Sequence, residues 1–117
     1  MIEDTLMNYT ELVVENWTPH AITLKNGWGT TTYEPSGNEA RLEKENQIVG
    51  DIDMFTVSRQ VVTGHNLPEP QPNKILIVSA MILAAFPERQ DLVAPDTNNA
   101  TRDAKGNIVS VPGFICN

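Results

Sequence analysis

The side chains best suited to chemistry in this sequence are its arginines. Only eight residues are basic against fifteen acidic ones, and half of the basic set is Arg41, Arg59, Arg89 and Arg102. A guanidinium is a planar fork of donors that grips phosphate at two points, where a lysine offers a single point charge. Arg102 is followed directly by Asp103, and Arg89 stands two residues before Asp91. Each pair reads as a surface ion pair, which is the commoner arrangement. Each also reads as part of a nucleotide site, with arginine on phosphate and aspartate accepting from ribose hydroxyls. The second reading requires the pairs to converge, and the natural meeting point is a strand-to-helix junction at Ser79, where free amides face outward. Ser79 as a cap alone is the simpler alternative.

Other chemistry is thinly represented. The two histidines, His20 and His65, are far apart in the chain, and the sole thiol is Cys116. No Gly-x-Ser-x-Gly elbow is present, nor a Gly-x-Gly-x-x-Gly or Gly-Lys-Ser/Thr phosphate loop. His20 reads as a turn residue bonded to neighbouring backbone. A metal site would have to be assembled from scattered carboxylates, so neither metal nor cofactor is expected. The reading is a binding protein without machinery to cleave its guest; a carboxylate-based hydrolase is the enzyme alternative, because such sites leave no sequence signature.

Composition narrows the partners. A chain of 117 residues with net charge −7 and a pI near 4.6 lacks the basic stripe that nucleic-acid binding needs. Its acidic residues are scattered, so DNA mimicry is disfavoured too. One cysteine allows no intrachain disulfide, which fits a reducing cytosol. The opening residues Met1-Ile2-Glu3-Asp4 are acidic where a secretion signal is basic. A soluble cytoplasmic protein without a membrane segment is the expectation.

The elements that must position these residues are organised around 75–86, the one continuously apolar run. It is too short for a membrane span, which takes about 20 residues. Ile75, Leu76, Ile77 and Val78 suit a strand covered on both faces. Ala80, Met81, Leu83, Ala84 and Ala85 favour helix, with Ser79 as N-cap and Pro87 as terminator. Strands are predicted at 11–17, 21–24, 30–33, 38–44 and 54–62. Asn26-Gly27 forms a hairpin turn, Glu34-Pro35-Ser36-Gly37 a second turn, and 46–51 a loop or further connection. Arg59 interrupts the alternating pattern of 54–62, and its stem is expected to cover the core edge while its head reaches water. The proline-rich stretch 67–73 is a stiff connector, and 87–92 a further helical turn. Residues 101–103 and 107–111 form a hairpin with Gly106 in the left-handed position. Residues 1–10 are a leader or loose helical turn, and 11–117 a single domain. The fold class is α+β: a mainly antiparallel sheet of about six short strands with one or two short helices.

Several short motifs in a common order resemble a known family. They are Thr18-Pro19-His20, Pro35-Ser36-Gly37 before Ala40-Arg41, Leu67-Pro68-Glu69-Pro70, and Ile77-Val78-Ser79. Arg89 with Asp91-Leu92 follows, then Arg102-Asp103 before Gly106-Asn107-Ile108. Together they resemble the phage anti-Thoeris sponges of the first described type, over about 13–111. The resemblance implies a homo-oligomer built from dimers in the infected bacterial host. It would bind cyclic ADP-ribose signals without degrading them; some relatives also bind cyclic oligonucleotides at separate sites. It further implies a pocket between subunits containing Arg102 and Asp103, with Arg41 contributed by the neighbouring chain and Ser79 and Arg89 as further contacts. Ser110-Val111-Pro112 departs from the family's pattern. The alternative is a small interaction module that inhibits a host protein directly, through a sheet edge or the rigid 67–72 loop.

Overall fold

The computed structural model describes residues 12–117, so the expectation for 1–10 lies outside the described residues. The centre is a four-stranded sheet in the order β1 (Val13–Asn16), β6 (Lys74–Ile77), β7 (Leu92–Pro95), β10 (Phe114–Ile115). Strands β1, β6 and β7 are mutually parallel, and only β10 runs antiparallel. Three further antiparallel pairs stand apart from it: β2 (Ile22–Asn26) with β3 (Gly29–Tyr33), β4 (Leu42–Ile52) with β5 (Phe55–His65), and β8 (Thr101–Arg102) with β9 (Ile108–Ser110). The α+β class holds. The expected single antiparallel sheet does not: the sheets are small and the central one is mixed.

The apolar run explains the centre. Ile75, Leu76, Ile77 and Val78 are all buried, and their alternation sends side chains to opposite faces. Leu76 and Val78 meet Trp17, Leu67, Leu92 and Ala94, together with Ile82 and Leu83 of the helix α1 (Ala80–Ala85). Ile75 and Ile77 join Val93 on the other side, where Val14, Ile22, Tyr33 and Phe114 cover them. The result is a three-layer arrangement of helix, sheet and hairpin. Ser79 caps α1 as expected, its hydroxyl accepting from the Ile82 amide at 3.2 Å.

Two expectations fail for identifiable reasons. Residues 87–92 form no second helix: after a turn in which the Arg89 amide donates to the Phe86 carbonyl, the chain enters strand β7. Leu92, Val93 and Ala94 are buried there, and tertiary packing overrides the helical reading. Residues 46–51 are not a connection either. They belong to β4, and Gly50 follows a bulge rather than making a turn, since the register slips between Ile48 and Gly50. The reversal comes at Asp53 and Met54, both with positive φ, at 51° and 79°. Leucine-, proline- and asparagine-bearing residues 67–73 remain outside any strand, as predicted.

Candidate functional site

Three parallel strands end at one edge of the central sheet, and a cleft of about 680 Å³ opens there. Beyond β1 come Thr18, His20 and Ala21; beyond β6, Ser79 and Ala80; at and beyond β7, Pro95 and Thr97. The opposite wall is made by Ile22 and Thr23 of β2 and by Asn107, Ile108, Val109, Ser110 and Val111 in and around β9. In sheets of this kind ligands settle outside the carboxyl ends of the strands, because the loops leaving them converge while the strands below stay rigid.

The walls are held by hydrogen bonds that also explain why the loops take these paths. Asn16, buried at the end of β1, satisfies its whole amide internally. Its Nδ2 donates to the carbonyls of His20 at 2.7 Å and Tyr33 at 3.0 Å, and its Oδ1 accepts from the Thr18 amide and hydroxyl. Thus one side chain shapes the 18–20 loop and ties it to the β2–β3 hairpin. On the opposite wall, Lys25 donates from its amide to the Val111 carbonyl and Val111 donates to that of Thr23, both at 2.9 Å. These bonds fasten β2 to the segment after β9.

Hydroxyls from Thr18, Thr23, Ser79, Thr97 and Ser110, the Asn107 amide and the His20 imidazole bring polar chemistry to walls otherwise apolar. Among the described residues, no arginine, lysine or carboxylate lines the cleft. A charged guest would have to find its counter-charge outside these walls.

Of the residues singled out in the sequence, Ser79 lies in this cleft. Arg102 and Asp103 lie on the hairpin whose second strand forms one wall, but both are engaged in folding it. The Arg102 guanidinium donates to the Gly106 carbonyl at 2.8 Å, and Asp103 Oδ1 accepts from the amides of Lys105 and Asn107. Gly106 takes the left-handed conformation expected of it, at φ 85°.

Arg89 borders a different cleft, with His65, Pro70, Pro72 and Phe86. Its fork grips Asp91 at two points, 2.7 and 2.6 Å, and the same arm donates to the Pro68 carbonyl at 3.0 Å. Both side chains are about nine-tenths buried. Asp91 raises the Arg89 pKa further above its ordinary value, against the opposing effect of burial. Here the aspartate occupies the fork that a phosphate would need, and the pair pins the proline-rich connector to the core.

Arg41 is exposed, 3.7 Å from Glu39, while its backbone amide is held by the Asn66 side chain. Arg59 is exposed on β5, opposite Gln47, rather than at the core edge where its stem was expected to lie. Among the described residues, Arg89 borders the second cleft, while Arg41, Arg59 and Arg102 border neither it nor the first. Among the described residues, no group of three histidine, cysteine or acidic side chains could hold a metal. No helix among them is long and apolar enough to cross a membrane.

Comparison with known proteins brings nothing closer: no family model, curated protein or solved structure matches this chain.

Sequence reading assigned no ligand-binding role to Thr18, His20, Thr23, Asn107 and Ser110, and took His20 as a turn residue. Their importance follows from standing at the ends of parallel strands, and the order of strands in the sheet carries that information. One local signal was available: Asn16 is a lone amide inside an otherwise apolar strand, the kind of buried polar group that has to be bonded on all sides.

Proposed function

We propose that this chain is a non-enzymatic sponge: it binds a cyclic ADP-ribose-type signal, holds it intact, and so blunts a bacterial anti-phage response in the host cytoplasm. What supports the reading is the cleft at the carboxyl ends of β1, β6 and β7. It has the capacity of a small-ligand site and walls that offer hydroxyls and an amide to ribose and base. The Ser79 hydroxyl accepts from the Ile82 amide, a capping use that needs no catalytic role.

The uncharged walls fit a site completed by a second protomer in a homo-oligomer built from dimers. In that arrangement Arg41 of a neighbouring copy meets the phosphates, and Arg102, with Asp103 beside it, joins it once its guanidinium exchanges the Gly106 carbonyl for phosphate; Arg89 acts as scaffold. Cyclic oligonucleotides are the second ligand class for the same oligomer.

The test is retention. Protein is incubated with a cyclic ADP-ribose isomer, stripped of free ligand and denatured, and the released nucleotide is identified. Intact ligand at a fixed ratio to protein is the expected result. Unfolding should be delayed as ligand rises, by about 2.7 kcal/mol at a hundred times the dissociation constant. Ala80→Trp, which fills the cleft mouth from an exposed helix position, should abolish the shift and leave the unliganded melting temperature in place. Release of a cleaved product, or an unmoved melting curve with every cyclic nucleotide tried, overturns the proposal.

A further inference from the structure

The β4–β5 hairpin is a two-stranded arm, and no other sheet pairs with it. A two-stranded ribbon is at best marginally stable in water unless something covers its apolar face. Register shows which face that is. Ile52 stands opposite Phe55, Gly50 opposite Val57, Gln47 opposite Arg59 and Glu45 opposite Val61; alternation along β5 places Phe55, Val57, Arg59 and Val61 on one side. The other side carries mostly polar residues, among them Asp51, Thr56, Ser58 and Gln60, with Ile48 and Val62 as its exposed apolar members.

Near its base Leu42 packs against the core and Val61 is half-buried, and farther out Val57, opposite Gly50, is half-buried too. Toward the tip the cover stops. Ile52 and Phe55 are 65% and 74% exposed, and Met54 in the turn is 95% exposed. Midway, Arg59 and Glu45 lie on this face and neither forms an ion pair within the chain among the described residues.

We infer that this face is where two copies of the chain associate, arm against arm about a two-fold axis, with Arg59 of each copy meeting Glu45 of the other. Unmet charges of opposite sign on one apolar face are self-complementary under a two-fold rotation, because the rotation forms the same pair twice. The same contact covers Ile52 and Phe55, which the chain itself leaves in water. The inference assigns a surface and a role for Arg59, and it stands whether or not the cleft binds a nucleotide.

Sedimentation equilibrium of the full chain without ligand tests it. The wild type should sediment as a dimer, or a multiple of one, of the 12.9 kDa chain. Phe55→Glu should weaken association about a hundredfold, and Arg59→Glu or Glu45→Arg alone about tenfold. Mixing the Arg59→Glu and Glu45→Arg proteins should restore wild-type affinity, since each then faces its opposite charge. That recovery separates a contact between copies from a folding defect. A wild type that stays monomeric at high micromolar concentration overturns the inference. So does a mixture that associates no better than its components.

Discussion

The body of the molecule and its arm solve the same problem in opposite ways. In the body, Ile75 to Val78 are covered on both faces, and each polar group brought inside has a partner: Asn16 makes four bonds, and Arg89 is matched by Asp91 and the Pro68 carbonyl. Among the described residues no buried side-chain polar atom lacks a hydrogen bond. Along the arm the cross-strand ladder is long, with two register shifts, yet Ile52, Met54 and Phe55 lie in water. Backbone hydrogen bonds alone define a shape, whereas burial stabilises it. The cleft is built by the part of the chain that is rigid without help, and the arm is left for a partner.

The contrast should be plainest in truncations. Leu76→Ala, at a fully buried site in the body, should cost about 3 to 4 kcal/mol in urea unfolding. Ile52→Ala, made in the Phe55→Glu background so that association plays no part, should change stability by less than about 0.5 kcal/mol. Equal losses at the two sites would erase the distinction.

Breaking the ion pair comes next. Arg89→Ala leaves the buried Asp91 without its partner and frees the proline-rich connector, so a loss of about 3 kcal/mol is expected. Protease nicking between residues 67 and 73 should rise in parallel. Asn16→Ala removes the hub beneath the cleft and should cost about 2 kcal/mol. It should also loosen the 18–20 loop, read as faster amide exchange at Thr18, without altering exchange in the arm.

The smallest effect concerns acid. Trp17 donates to Glu15 at 2.9 Å and Lys74 lies 3.3 Å from it. The indole hydrogen bond, with Lys74 second and burial opposing, holds the Glu15 carboxyl below its ordinary 4.5. A carboxyl whose folded value is depressed contributes stability above its unfolded value and loses it as pH falls through the folded one. Glu15→Gln should therefore flatten the stability profile below about pH 4.5, by no more than about 1 kcal/mol for so accessible a group.

Much of the body was legible in the sequence. The apolar run gave away its double burial, Ser79 its cap, the prolines their connector, and Gly106 its turn. The arm was half legible: alternation over 54–62 marked its second strand, whereas 46–51 read as a connection when they continue the first strand past a bulge. Strand β7 was hidden by Pro87 and the charged residues after it, which locally favour a helical turn. The arginine pairs were the weakest guide: Arg102 with Asp103 and Arg89 with Asp91 are fitted to their own turns, a use that spacing alone does not distinguish from ligand binding.

Periodicity, caps and turn residues are local properties, and they were enough to determine which segments are extended, where the helix begins and which run forms the centre. The parallel pairing of β1, β6 and β7 was decided only when segments some sixty residues apart came together. With that pairing came the cleft at their carboxyl ends and the separation of the arginines. Strand order depends on which covered faces fit against one another, a condition on the whole chain that no single stretch of it contains.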